Sequence, residues 1–192
     1  MARESSEQAA QRPGIVMPYP MARWHVFQGD TNDCGPHCVA IITNTLYGAH
    51  RVHPEDIALD LNRRGFPDRI PGWATMPWGL VGVLKRQGLQ ARWRKGLSTG
   101  ALYENLSLGR PTIVIVGEPL RFSKGKYYGW SHYKVLQTWD PARGFGFVDP
   151  ITARPDGMTW QPFAEFERVW GKMGHQIIEA WRPDAGHLPE MR

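Results

Sequence analysis

"QGDTNDCGPHCVAII", residues 28–42, holds both cysteines of the chain, Cys34 and Cys38, around Gly35, Pro36 and His37. Its reading decides the fold, because the two thiols admit three chemistries. A Cys-x-x-Cys redox dithiol closes a tight loop at a helix start. Here one more residue is inserted, and an i, i+4 pair lies a full turn apart on one helix face, where the disulfide torsion is hard to satisfy. A structural zinc site wants four ligands, usually two separated pairs. Cys34, His37 and Cys38 have no second Cys pair to join them. The third reading is one reactive thiol. Asn32 or Asp33 can cap a helix starting at Cys34, Pro36 falls in its first turn where a missing N–H costs nothing, and Gly48 stops it. Cys34 then sits where free N–H groups and the positive end of the helix dipole stabilise a thiolate. Gly35 is expected to keep the space beside the sulfur open. Cys38, among Val39, Ile41 and Ile42, reads as a small buried hydrophobe.

A thiolate nucleophile needs a base and an oxyanion donor from elsewhere in the chain. Of seven histidines, His132 stands at the mouth of the strand pattern "SHYKVLQTW" (131–139). That strand and "GFGFVD" (144–149) are separated by "DPARG", a strong turn signal, so the two form an antiparallel hairpin. The hairpin brings His132 and Asp149 to one edge of the sheet, where the carboxylate can accept the far ring N–H and fix the tautomer. The rival, Asp140, falls in the turn at the opposite end, where Asp serves local backbone bonding. Gln28 lies six residues before Cys34, at the end of a short strand expected over "RWHVFQ" (23–28). Its amide is a candidate oxyanion donor beside the Cys34 N–H.

The rest of the chain sets the frame. At 192 residues it is long enough for one domain with a sizeable core. The net charge of +5 comes from scattered basic residues, which favours a solvated basic surface over a nucleic-acid footprint. No apolar run approaches a membrane span, and "MARESSEQAAQRPG" lacks the apolar core of a signal peptide. Two cysteines without an export signal indicate a reducing cytoplasm. Residues 1–22, polar and then Pro-rich, are expected to be a disordered or loosely docked arm, 23–183 the folded domain and 184–192 a tail. Further helices are expected over 53–65, 77–88, 98–109 and 161–170, and strands over 111–117 and 175–181. Helices first and antiparallel strands after argue an α+β fold.

The segment around Cys34, with "SHYKVL", "FGFVDP", "HPEDIALDL", "WGLVGVLKRQGLQARW" and "GRPTIVIV", resembles the bacteriocin-processing (double-glycine leader) cysteine peptidases. These are papain-like domains of bacterial ABC exporters, with free-standing relatives, and the similarity spans roughly residues 24–181. The resemblance implies Cys34 as nucleophile, His132 as base, Asp149 as its orienter and Gln28 in the oxyanion hole. It implies cleavage after Gly-Gly or other small residues of a leader or precursor peptide, with no cofactor or metal. A peptide or protein is then the partner, a separate exporter a further one, and nucleic acid is not. The chain departs from the better-known members in having no transmembrane helices, ATPase or P-loop, and in His37, where a small residue is usual. The stretch "RFSKGKYYGW" (121–130) ahead of His132 reads as a long inserted loop, and Trp130, Tyr128 and Lys126, with Lys124, are its candidate substrate contacts. Acyl transfer by the same residues, a non-catalytic peptide-binding module of the same fold and, last, thiol-disulfide exchange are the alternatives. The oligomeric state is not legible in the sequence.

Overall fold

A computed structural model describes residues 4–123 and 125–183. The tail over 184–192 and Lys124 lie outside them. The helix that starts at Cys34, α2 (Cys34–Tyr47), is the centre of the molecule, and every residue from Cys34 to Thr45 is buried. A helix apolar on all sides must be covered on all sides. It packs against the long strand β6 (Lys126–Asp140) and against α3 (Pro54–Arg64) and α4 (Pro77–Arg86). Gly48 ends it in the left-handed conformation, as the sequence predicts. Buried Asn44 then fixes the turn into α3, accepting from the Arg51 and Val52 N–H groups and donating to the Val52 carbonyl.

The remaining elements are α1 (Ser6–Ala10), β1 (Ile15–Val16), the two-residue pair β2 (Arg69–Ile70) and β3 (Ala74–Thr75), β4 (Gln90–Arg94), α5 (Thr99–Ser107), β5 (Thr112–Ser123), β7 (Gly144–Val148), β8 (Met158–Gln161), α6 (Phe163–Lys172) and β9 (Gln176–Trp181). One antiparallel sheet runs β4-β9-β5-β6-β7-β8. α6 packs on β5 and β7, with Phe166 and Trp170 fully buried. The fold is α+β. The β6–β7 hairpin closes with Asp140 paired to Gly144, and Asp140 Oδ1 accepts from the Ala142 and Arg143 N–H groups. Asp140 is thus a turn residue.

Three expectations are corrected. Residues 4–22 are not a loose arm. β1 continues the lane of β5 beside β6, pairing Ile15 with Trp139 and Val16 with Thr138, and Ala9, Met17 and Met21 are buried. A polar, Pro-rich composition concealed three apolar anchors spaced along the segment. The strand over 23–28 is absent. Met21–Trp24 form a 3₁₀ turn after Pro20, and Val26 and Phe27 face solvent, so the apolar pair that suggested a strand buries nothing. Of the supposed loop 121–130, residues 121–123 and 126–130 are strand. β5 and β6 extend past the sheet as a two-stranded ribbon, with Arg121 opposite Tyr128 and Ser123 opposite Lys126, beyond a register shift after Glu118. Just before the shift stands Gly117, whose φ is +146° and where a Cβ would stand 2.1 Å from the Trp130 carbonyl oxygen. Only glycine lets the two strands approach there, one residue from the Val116–His132 pair.

Candidate active site

Cys34 opens α2 at the floor of a cleft of about 690 Å³ that Gln28, Trp73, Trp130, His132, Lys134 and Asp149 also line. Asp33 holds the cap position but makes no side-chain bond to the helix. Its carboxylate is turned to the buried guanidinium of Arg69, which also donates to Asn62 Oδ1 and Thr75 Oγ1, each at 2.6 Å. The capping expected of Asp33 is therefore replaced by an ion pair that ties the helix start to the β2–β3 pair. That carboxylate therefore takes none of the N–H groups at the helix start. Gly35 serves a different purpose from the one expected. A Cβ on it would meet Leu80 at 3.0 Å, so its bareness seats α4 against α2 rather than clearing space at the sulfur.

His132 enters from β6 and lines the cleft with Cys34, near enough for the cysteine to favour its charged form. Its Nε2 donates to Asp149 Oδ1 at 2.6 Å, which leaves Nδ1 for the thiol. Both side chains are buried. The hairpin register does this: β7 lies beside β6 with Val135 opposite Val148, so the following residue, Asp149, comes level with Lys134 and within reach of His132 in the middle of β6. Asp149 also starts a turn, accepting from the Ile151 N–H on Oδ1 and from the Thr152 N–H on its carbonyl. Its second oxygen, Oδ2, takes Lys134 Nζ at 3.1 Å and the Thr159 hydroxyl at 3.2 Å. Burial disfavours the Asp149 anion, but His132, Lys134 and the Ile151 N–H outweigh burial and hold its carboxyl well below the usual carboxylate range. Burial likewise disfavours charged His132. The hydrogen bonds and charges of Asp149 and Cys34 win, raising it from 6.5 to about 9.

Gln28 is buried and lines the cleft. Its N–H donates to the Pro150 carbonyl, which moors the segment to the turn after Asp149. One side-chain N–H goes to the Thr31 carbonyl at 2.6 Å, and Oε1 has no partner. The second Nε2 proton remains for a ligand. Cys34 and Cys38 are both free thiols. Cys38 is wholly buried, and burial, with Cys34 nearby, pushes its thiol well up. His37 donates from Nδ1 to the Asp33 carbonyl, and its burial pulls it down. Of the proposed rim contacts, Trp130 lines the cleft and is half exposed, whereas Tyr128 and Lys126 stand farther out on the ribbon, away from the lining.

Three contributors escaped the sequence reading. Arg69 is one. His25 is another: its Nε2 donates to the Asp149 carbonyl at 3.0 Å. Lys134 is the third, and it had a signal, since it lies two residues after His132 and so on the same face of the strand.

No protein-family model and no curated protein matches the chain. Solved structures do. A C39-like peptidase from Bacillus anthracis superimposes with TM-score 0.67 over 89% of this chain and 98% of its own, at 18% identity. The peptidase domain of Streptococcus ComA, a bi-functional ABC transporter of a quorum-sensing pathway, gives 0.56 over 82% and 96%, at 24% identity. A double glycine motif protease from an AMS/PCAT transporter, solved with its leader peptide, gives 0.55 over 88% and 99%, at 16% identity. At these identities the likeness is one of fold, and it agrees with the resemblance read in the sequence. The chain has the α+β, papain-like fold of the C39-like peptidases. No helix among the described residues is long and apolar enough to cross a membrane.

Proposed function

We propose that this chain, which shares its fold with the C39-like peptidases, is a cysteine peptidase that cleaves a leader or precursor peptide after Gly-Gly or other small residues. One observation carries the reading. Cys34, at a helix N-terminus, shares the cleft with His132, and the buried His132 ring donates to the buried Asp149 carboxylate at 2.6 Å. In this reading Cys34 Sγ, its proton on His132, attacks the scissile carbonyl. The Cys34 N–H and the free Gln28 Nε2 proton hold the oxyanion. His132 then gives its proton to the leaving amine, and the acyl group stays on Cys34 as a thioester. A water, deprotonated by His132, breaks the thioester and restores the thiol. Asp149 holds the imidazole in one tautomer throughout. The setting is a bacterial cytoplasm, where the thiol stays reduced, and a separate exporter is the partner that would take the cleaved product.

The first test is incubation with synthetic precursors carrying Gly-Gly at the junction, with product masses read over time. Two fragments summing to substrate plus water are expected. A product bearing an added amine would mean acyl transfer instead, and intact peptide would contradict the reading.

The raised His132 value gives a pH prediction. The imidazolium is needed to protonate the leaving amine, so kcat/KM holds up to about pH 9 and falls above it. Removing the Asp149 carboxylate removes a cause of the raised value, so in Asp149→Asn the alkaline limb moves down toward 6.5. An unmoved limb would detach Asp149 from the reaction.

The ribbon is read as the substrate-facing rim, with Trp130 first and Tyr128 and Lys126 farther out. Trp130→Ala should raise KM about 10-fold with little change in kcat, since it removes apolar contact area from binding and nothing from the chemistry. Lys126→Ala should raise KM only at low salt. Steady-state kinetics at two ionic strengths separates the two.

A further inference from the structure

Lys134 is an unusual occupant of its position. The strand interior around it is buried and apolar, with Val135 and Leu136 fully covered, and its own side chain is only 15% exposed. An ammonium so placed loses hydration and needs a partner close by. It has two: Asp149 Oδ2 at 3.1 Å, and the ring of Phe147 at 5.5 Å from the ring centre. Each oxygen of Asp149 is therefore doubly engaged, Oδ1 by His132 and the Ile151 N–H, Oδ2 by Lys134 and Thr159.

We propose that Lys134 is a positioning residue that shares the Asp149 carboxylate with His132, fixing its orientation and tempering its pull on the imidazole. The inference rests on the reading of Cys34, His132 and Asp149 as a peptidase site. The titratable groups facing the pair are Cys34 and Cys38 from α2, Lys134 from β6 and His25 from the segment before α2. With Lys134 cationic and Asp149 anionic, the cluster is neutral both as thiol–imidazole and as thiolate–imidazolium. Proton transfer from Cys34 to His132 then takes place in a buried cluster that carries no net charge. Without the lysine, an unshared carboxylate holds the imidazolium proton more tightly, and His132 becomes a weaker acid toward the leaving amine.

The test compares the full chain with Lys134→Met, Lys134→Gln and Lys134→Arg. His132 is titrated by NMR of its ring, which needs no peptidase activity, and kcat and KM are measured across pH. In Met and Gln the His132 midpoint and the alkaline limb should move up, and kcat should fall about 10-fold with KM unchanged. The charge-keeping Arg variant should restore most of both. A midpoint that stays or falls overturns the proposal, as does a rise in KM alone, which would make Lys134 a substrate contact. So does equal loss in all three variants, which would make it packing only. If the wild type hydrolyses no peptide, the peptidase reading fails, while the NMR arm still decides whether Lys134 governs the pair.

Discussion

Cys34→Ala should abolish peptide hydrolysis, a loss on the order of 10⁶ in kcat, because a nucleophile that acts within a unit takes the whole unit with it. Cys38→Ala should retain most of the activity. Cys38 is one helical turn deeper, wholly buried, with its thiol pushed up by burial, so no thiolate forms there near neutral pH. The substitution leaves a small void in the core and costs about 1 kcal/mol of stability. Peptide cleavage followed by mass, with circular dichroism melts of both variants, checks the pair. Comparable losses from the two would restore the reading in which both thiols act together.

Asp149→Asn should cost on the order of 10²–10⁴ in kcat with little change in KM, since an amide cannot hold the imidazole in the required tautomer and charge state. It also leaves the ammonium of Lys134 without its anion in a nearly closed place, so stability should drop as well, by on the order of 3 kcal/mol or less. Asp140→Asn provides the contrast. Its Oδ1 can still accept from the Ala142 and Arg143 N–H groups, so stability changes by tenths of a kcal/mol and turnover hardly at all. The opposite ranking of these two variants would mean that Asp149 is a turn former and that His132 is oriented by something else.

The parts of this site that follow from local rules were legible in the sequence. Pro36 in the first turn fixes where α2 begins and Gly48 where it stops, and the start alone puts Cys34 at a dipole end. The Asp-Pro-Ala-Arg-Gly turn fixes the hairpin, and the hairpin alone carries Asp149 to His132, seventeen residues away in the chain. What escaped needs tertiary knowledge. The Arg69–Asp33 pair joins residues 36 apart through a two-residue β-pair that no periodicity announces. On the ribbon Phe122, Tyr128 and Trp130 are all exposed, so these aromatics do not mark a buried strand face and read as loop. The N-terminal segment joins the sheet over only two residues, too few for a strand pattern. Lys134 was within reach, since strand alternation puts it on the face of His132, and it was missed because a lone lysine more often marks a solvated face.

The proposed chemistry needs one thiol, Cys34, activated by His132 in one cleft. The most direct measurement is labelling of the full chain with a peptide electrophile directed at thiols, ending in Gly-Gly, with the modified residue located by mass spectrometry. An adduct confined to Cys34, formed at neutral pH and lost in His132→Ala, is the predicted result. An adduct on Cys38, equal labelling of both cysteines, or a native Cys34–Cys38 disulfide that blocks labelling would contradict it.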